Sequence, residues 1–304
     1  MNNLLIGDCR NILPTLEAQS VQCVVTSPPY YNLRDYGVNM QIGQEATYQE
    51  YIDNLVSVFR EVRRVLKDDG TVWLNLGDSY AGSGQGGNLD KNKKLKSMTP
   101  LKQTPLAGLK KKDLIGIPWR VAFALQQDGW YLRQDIIWHK PNVMPEAVKD
   151  RCTKSHEYIF LLSKHKNYYF DAEAIKEPVV SIKGNNKTFR NGGVYTKGQS
   201  YFNSKKIEAE THGNKPNESG KRNKRDVWTI PTHPYKGAHF AAFPLGLVIP
   251  CVLAGSREGD VILDPFFGSG TVAEAAALLN RNWLGIDINP DYEPLYRQRL
   301  ALFA

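Results

Sequence analysis

Two short segments carry residue types that could do chemistry, and the first is the run QCVVTSPPYYN near the start of the chain. An apolar stretch at residues 23–25 leads directly into Ser27, Pro28, Pro29 and Tyr30. Consecutive prolines fix their own φ and donate no ladder hydrogen bonds, so the strand must end in a stiff turn. The Ser27 hydroxyl and the Pro28 carbonyl could accept hydrogen bonds from an exocyclic amine while Tyr30 stacks on its base. Alone, the segment is more typical of an ordinary turn that ends a strand.

The second segment, GDVILDPFFGSGT, predicts a strand that ends at Asp264, then a tight turn and a helix. Gly268 and Gly270 permit the sharp turn and a close approach of the backbone to a ligand. A helix that begins near Thr271 offers unpaired amides at its N-terminus. Asp287 ends another predicted strand 23 residues after Asp264, close to the spacing at which an acid binds ribose hydroxyls. The segment therefore predicts a nucleoside site.

The type of nucleoside follows from two positions in this segment. Ala273 stands where a dinucleotide fingerprint has its third glycine, which disfavours a closely bound pyrophosphate. Asp264 places negative charge where phosphates would be repelled, so a cationic, phosphate-free nucleoside such as S-adenosylmethionine fits better. The six histidines and four cysteines show no metal-ligand spacing, and we expect no metal.

Strand and helix patterns alternate along the chain around these segments. Apolar runs predict strands at residues 4–6, 23–26, 72–76, 135–138, 158–162, 261–263 and 283–286. Helical periodicity occupies residues 47–69, 117–129 and 271–280, with Gly70 as the predicted stop of the first helix. Alternating strands and helices predict an α/β fold with a mostly parallel sheet.

Two basic stretches interrupt this pattern. Residues 91–112 contain eight lysines and no acid, and residues 181–225 contain eleven Lys or Arg against three Glu. Each stretch carries +8 and so does the whole chain, so the remainder has a net charge of −8. We therefore predict one domain over residues 1–304 with basic inserts at about 80–112 and 178–225. The candidate nucleic-acid contacts are Lys110, Lys111, Lys112, Lys221, Arg222, Lys224 and Arg225. The alternative is that both runs are merely solvated loops.

Composition excludes several classes of protein. A chain of 304 residues with 41% hydrophobic and 23% charged residues can bury a full core. No apolar run reaches 18 residues, so we expect no membrane span. The N-terminus lacks a secretory signal pattern, and the four widely spaced cysteines are interpreted as buried thiols. These features predict a cytoplasmic protein.

Taken together and in order, the motifs resemble those of the β-class DNA amino-methyltransferases, in which the TSPPY box precedes the FxGxG cofactor box. The matching segments are LLIGDCRNIL, VVTSPPYYNLRDYG, DGTVWLNLGDSY, GWYLRQDIIWHKPN, SHEYIFLLSK, RDVWTI, YKGAHFAAFP, DPFFGSGT and GIDINPDY. The resemblance implies a Rossmann-like, circularly permuted methyltransferase fold with helices on both faces of the sheet. It also implies S-adenosylmethionine as methyl donor and double-stranded DNA as partner, with the target base flipped out.

The resemblance extends to individual residues. The catalytic box is matched by Ser27, Pro28, Pro29 and Tyr30. The cofactor positions are matched by Asp264, Phe266, Gly268, Gly270, Thr271, Asp287 for the ribose, and Asp8 near the adenine. His239, Phe240 and Pro244 lie in the segment expected to flank the methionine moiety. Phe267 departs from the family, where a small residue is common, and we expect it to narrow the cofactor turn.

The serine before the prolines resembles cytosine N4 enzymes more than adenine N6 enzymes, although serine boxes occur in both groups. Protein glutamine and RNA base methyltransferases share the PPY catalytic motif but usually have the cofactor box before it in sequence. A non-catalytic DNA-binding module is a further alternative. It would explain the basic inserts but not the cofactor turn. A prokaryotic or phage source, a restriction endonuclease partner and a homodimer are all compatible with the family.

Overall fold

The computed structural model describes residues 2–34, 36–38, 40–82, 108–179, 220–232 and 243–301. The chain divides into two compact units, one formed by Met1–Ala174 with Arg225–Ala304 and the other by Ile175–Lys224. Most of the two predicted inserts lies outside the described residues, as do His239 and Phe240.

The described part of the first unit is built on an eight-stranded sheet with the order β1-β10-β9-β2-β3-β5-β4-β8. The strands of both units are β1 (Asn3–Ile6), β2 (Val21–Thr26), β3 (Leu66–Leu76), β4 (Tyr131–His139), β5 (His156–Ser163), β6 (Glu177–Pro178), β7 (Lys221–Arg222), β8 (Val227–Thr229), β9 (Val261–Asp264) and β10 (Asn282–Asp287). Among the described strands of this sheet, only β5 runs antiparallel to its neighbours, β3 and β4. The mostly parallel sheet confirms the predicted α/β fold.

Two of the described helices begin at clear sequence signals. The described helices are α1 (Cys9–Ile12), α2 (Tyr48–Val65), α3 (Ile117–Gln127), α4 (Leu245–Gly255), α5 (Thr271–Leu278) and α6 (Glu293–Leu300), with 3₁₀ turns at Leu13–Thr15 and Pro290–Tyr292. Thr47 and Glu50 cap the start of α2 reciprocally. Pro118 occupies the first turn of α3, where a missing N–H costs nothing.

Helices cover both faces of the sheet. Successive strand residues point to opposite faces, and Val24 and Val72 belong to the core shared with α2 and α3. Cys23 and Trp73 lie on the other face, where the end of α4 packs closely on them. A Cβ added at Gly255 would lie 2.7 Å from Cys23 Sγ and 3.0 Å from Trp73 Nε1.

The predicted stop of α2 at Gly70 is wrong. The helix ends at Val65, and β3 begins at Leu66 and includes Gly70. A Cβ at position 70 would lie 2.8 Å from the carbonyl oxygen of Gln22, so glycine lets β3 run close against β2. The glycine therefore permits a strand contact instead of ending a helix.

The cysteines and the apolar segments complete the description of the fold. Cys9, Cys23 and Cys251 are buried free thiols, but Cys152 is exposed, so the prediction of four buried thiols is wrong at that loop position. Within the described ranges, no helix has the length and apolar character to cross a membrane.

Candidate active site

A cavity of about 690 Å³ lies at the carboxyl ends of the central parallel strands. Ends of parallel strands meet at one edge of a sheet, where α/β proteins commonly bind ligands. The predicted residues that line this cavity are Asp8, Ser27, Pro28, Pro29, Tyr30, Asp264, Phe266, Gly268, Thr271 and Asp287. Gly270 is the N-cap of α5, and Phe240 lies outside the described residues.

The turn after β9 presents its backbone to the cavity. Gly268 and Gly270 have φ angles of +53° and +81°, a region that side chains other than glycine rarely adopt. The Gly268 amide donates a 2.6 Å hydrogen bond to Asp287 Oδ2. Asp287 Oδ1 accepts a second bond, of 2.9 Å, from the Asn289 amide. The carboxylate at the end of β10 thus fixes the turn after β9.

Asp264 joins this turn to the segment that contains Ser27. Its Oδ1 accepts hydrogen bonds from Thr26 Oγ1 at 2.7 Å and from the Phe266 amide at 3.0 Å. Burial, with the charge of Asp287 nearby, raises the pKa of Asp264 to about 7 despite these bonds. The carboxyl group is therefore poised between its charged and neutral forms near neutral pH.

The other two carboxylates of this end of the cavity differ in electrostatic setting. Burial raises the pKa of Asp287. Asp8 caps α1 and forms a 2.5 Å ion pair with Arg10. Burial opposes its ionisation, but the hydrogen bonds and charge of Arg10 outweigh this and hold the pKa of Asp8 below its usual value. Three acidic groups beside a glycine turn suit a cationic nucleoside.

The TSPPY segment forms the neighbouring wall of the cavity, since β2 pairs with β9 and Thr26 bonds Asp264. β2 ends at Thr26, and Tyr51 of α2 donates a 2.9 Å hydrogen bond to the Pro29 carbonyl. The Tyr30 ring packs over the backbone of Gly77, where an added Cβ would lie 2.4 Å from it. The prolines and this close contact fix the direction of the ring.

Sequence reasoning missed a polar network at this wall. The Tyr30 hydroxyl donates a 2.7 Å hydrogen bond to Glu157 Oε2 and lies 3.1 Å from Asn75 Oδ1. Glu157 also pairs with Lys140, whose ammonium group lies 4.1 Å from the ring centroid of Trp138. All five side chains line the cavity. The segments IIWHKPN and SHEYIF contain three of them, but the sequence gives no sign that β3, β4 and β5 bring them to Tyr30.

The ring of Phe267 fills the space beside Gly285, which has no side chain. This ring is 3% exposed and lies 5.4 Å from the Trp283 ring and 5.6 Å from the Tyr296 ring. A Cβ at Gly285 would lie 2.2 Å from this ring. Most of the bulk of Phe267 is thus taken up by the core between the turn and β10, and the residue also forms part of the cavity lining.

Several of the candidate DNA contacts have acidic partners. Lys112 pairs with Asp150 at 2.6 Å, and Lys110 lies 3.9 Å from Asp113. In the second unit, β6 and β7 pair antiparallel, and Arg222 pairs with Glu177 at 2.8 Å. The other positions are Lys111 on the loop before Asp113, Lys224 after β7, and Arg225, whose carbonyl accepts from Trp228.

The described residues hold no cluster of three or more His, Cys, Asp or Glu suited to a metal ion. A mostly parallel sheet, a glycine turn and acidic strand ends around one cavity have the features of an α/β enzyme that binds a nucleoside cofactor.

Comparison with known proteins identifies the class within this fold. The family model for N6 and N4 DNA methylases matches residues 21–298, and the chain belongs to this family. Type II methyltransferase M.SmaI of Serratia marcescens is 48% identical over 298 residues, which cover 98% of this chain and 90% of that protein. Type II methyltransferase M.Cfr9I of Citrobacter freundii is 45% identical and covers 98% of this chain and 87% of its own.

Solved structures agree. A Thermus thermophilus protein assigned as a DNA modification methylase, in complex with S-adenosyl-L-methionine, is 25% identical with a TM-score of 0.62. The match covers 100% of this chain and 94% of that one. The cytosine-N4-specific PvuII DNA methyltransferase shares the fold at 18% identity, with a TM-score of 0.65 over 98% of this chain and 86% of that one. The protein is thus an S-adenosylmethionine-dependent DNA methyltransferase.

Proposed function

We propose that the protein methylates the N4 amine of cytosine at a specific site in double-stranded DNA, with the target base flipped into the cavity. The observation that carries this proposal is the position of Ser27, a hydroxyl directly after β2 on the wall next to the acidic cofactor end. An amine inside a duplex cannot reach such a cavity, so the base must leave the stack. A cavity of about 690 Å³ is in the usual size range for small-molecule sites.

The catalytic wall acts on the amine. S-adenosylmethionine supplies an activated methyl group when bound. Ser27 and the Pro28 carbonyl accept hydrogen bonds from the amine, which draws the nitrogen from planar towards tetrahedral and frees its lone pair. Tyr30, fixed by Gly77, packs on the face of the base and aims the nitrogen. This chemistry needs no covalent nucleophile.

The neighbouring wall, formed by the turn after β9 and the end of β10, binds the cofactor. Asp287 accepts from the ribose hydroxyls with lone pairs that Gly268 and Asn289 leave available, and Asp8 lies near the adenine. The turn from Phe266 to Thr271 encloses the nucleoside, with Gly270 shaping its end. Phe240 is proposed to flank the methionine moiety from outside the described residues.

The base itself is the finer part of the proposal. A neutral serine hydroxyl is a weaker acceptor than a carboxylate, which suits the compact, Tyr30-stacked pocket of a cytosine. DNA methylated in vitro is digested to nucleosides and separated by mass. N4-methylcytosine supports the proposal, whereas N6-methyladenine alone overturns it in favour of the adenine alternative.

Contacts to DNA are assigned to the basic inserts at about 80–112 and 178–225, carried by a single catalytic domain over residues 1–304. The described members are Lys110, Lys111, Lys112, Lys221, Arg222, Lys224 and Arg225. A non-catalytic DNA-binding module is the more distant alternative. Thermal stabilisation by S-adenosylmethionine, with its analogue S-adenosylhomocysteine as a second ligand, is expected only of a methyltransferase.

The cellular role follows from the type II relatives. We propose a cytoplasmic, prokaryotic or phage-encoded enzyme that protects DNA from a restriction endonuclease partner. Long-read sequencing of DNA from cells that express the chain will give the modified motif. Resistance of that DNA to an endonuclease specific for the motif is the expected result.

A further inference from the structure

A directional row of hydrogen bonds leads away from Ser27. Ser27 Oγ donates towards the Tyr30 hydroxyl at 3.5 Å, and the Tyr30 hydroxyl donates to Glu157 Oε2 at 2.7 Å. A Ser27 hydroxyl that donates to Tyr30 keeps its oxygen lone pairs for the amine of the target base. The row therefore begins at the amine and ends at a carboxylate.

The surroundings of Glu157 suit the end of such a row. Its side chain is 16% exposed and forms an ion pair with Lys140, which is equally sheltered. Asn75 Nδ2 donates to the same oxygen as Tyr30, at 3.3 Å. Tyr30, Asn75 and Lys140 thus all contact the carboxylate oxygens of Glu157. Among the described cavity residues, Glu157 is the carboxylate that contacts Tyr30.

On the basis of the proposed function, we propose that Glu157 is the final acceptor of the proton that the target amine loses during methylation. As the N–C bond forms, the methyl carbon's bond to sulfur breaks and its electron pair stays on sulfur. The amine proton passes to Ser27 Oγ, the Ser27 proton to Tyr30, and the Tyr30 proton to Glu157 Oε2. Glu157 ends neutral and then returns its proton to water.

The physical reason is the charge that develops on the nitrogen. Ser27 is a neutral group and cannot retain an added proton, so it needs a base behind it. The 3.5 Å step between Ser27 and Tyr30 is long for a hydrogen bond, and such contacts commonly shorten when the substrate is bound.

The test uses three variants of the full chain: Glu157→Gln, Tyr30→Phe and the double variant. Glutamine keeps an oxygen that accepts from Tyr30 but is not a base, and phenylalanine keeps the ring. Single-turnover methylation at saturating S-adenosylmethionine should fall about 10²-fold or more in each variant. The double variant should be no slower than the slower single one by more than about threefold, because the row acts as a unit.

Two further readouts separate proton transfer from support of the structure. Because the relay needs an unprotonated base, the wild-type rate should decline towards acid pH, and this decline should vanish in Glu157→Gln. Fluorescence of 2-aminopurine at the target position should show unchanged base flipping. Glu146→Gln is the matched control, because Glu146 pairs with Arg151 away from the cavity lining, and it should keep both the rate and the acid decline.

A Glu157→Gln enzyme with the wild-type rate, or one that is slower but keeps the acid decline, overturns the relay. Additive losses in the double variant also overturn it. The proposed function is judged separately by the nucleoside that the wild type produces, since the relay serves a cytosine or an adenine amine equally.

Discussion

The two walls of the cavity are built in different ways. At the cofactor wall, most bonds to the carboxylates come from the turn itself or from groups near in sequence, as from Phe266 to Asp264 and from Asn289 to Asp287. The bond from Thr26 of β2 to Asp264 is the long-range exception. At the base wall, Tyr30 depends on Asn75 and Glu157, which come from β3 and β5. The cofactor wall is therefore fixed mainly by local chain geometry, and the base wall by strand register, since a one-residue slip would turn these side chains to the other face.

We expect the largest effect from a substitution that disrupts the base wall and leaves the cofactor wall intact. Tyr30→Ala removes the stacking face and the hydroxyl that binds Glu157, so we expect kcat to fall by about 10²-fold or more. Cofactor affinity, measured by calorimetry, should stay within about twofold because the cofactor wall is built locally. Tyr131→Ala, at an exposed position of β4, is the control. Near-normal turnover of Tyr30→Ala would show that the catalytic box is misplaced.

The converse change breaks the cofactor wall. Asp287→Ala should weaken S-adenosylmethionine binding by about 1.5–3 kcal/mol, the range for hydrogen bonds to a charged group. That is about 10- to 150-fold in Kd. Asp291→Ala changes an exposed neighbouring acid and should bind normally. If a folded Asp287→Ala protein has wild-type affinity by calorimetry, the ribose assignment is wrong.

A pH dependence of cofactor affinity sharpens the comparison, because it should arise at the cofactor wall. The pKa of Asp264 is about 7 in the folded protein, against an ordinary value of 3.8. A cationic cofactor favours the ionised carboxylate, so affinity should rise with pH and fall about tenfold for each unit below 7. Asp264→Asn keeps the hydrogen-bond acceptor and should largely flatten this dependence. Calorimetry from about pH 5.5 to 8 measures it, and an unchanged slope in the variant would contradict the assignment.

The same carboxyl group has the opposite effect on the stability of the protein without cofactor. Between pH 3.8 and about 7 the folded state keeps a proton that the unfolded state has released. The stabilisation is complete below pH 3.8 and is lost as pH rises through about 7. Thermal melts should show this decline in the wild type and in the exposed control Asp53→Asn, but less of it in Asp264→Asn.

We expect the smallest effect from substitutions of the basic residues outside the cavity, which leave both walls unchanged. Neutralising Lys110, Lys111 and Lys112, or the four basic residues at 221–225, should lower DNA affinity and flatten its salt dependence. The log-log slope should drop by about 0.9 for each phosphate group that the variant no longer binds. Because Lys112 already pairs with Asp150, we expect less from Lys112 than from Lys111. Slopes that stay the same in both sets of variants would favour the solvated-loop alternative.

The sequence predicted one wall much better than the other. The cofactor turn is a contiguous run, so Gly268, Gly270 and the start of α5 at Thr271 could be placed from composition and spacing alone. The same holds for the strands, because all seven predicted runs lie within observed strands. The predicted helix stop at Gly70 failed because glycine serves a close strand contact as well as a helix end.

The base wall could be predicted only as far as TSPPY extends. Lys140 and Glu157 lie far from Tyr30 in sequence. Glu157 reaches Tyr30 because β5 pairs antiparallel with β3, and Lys140 reaches Glu157 because β4 pairs antiparallel with β5, with Trp138 opposite Glu157. A single sequence does not specify that register. The exposure of Cys152, in contrast, could have been predicted, because apolar neighbours are the signal for burial and the segment around Cys152 has few.

The contact between Phe267 and Gly285 limits which substitutions can be accepted at these two positions during evolution. The ring fills the volume that a side chain at position 285 would occupy. The combined side-chain volume at the two positions is therefore fixed. A methyl group added on β10 must be matched by atoms removed at position 267, and a smaller residue at 267 leaves a void that position 285 can refill. Homologous chains should therefore vary at these two positions in concert, large with small, and the cofactor turn keeps its place only in such matched pairs.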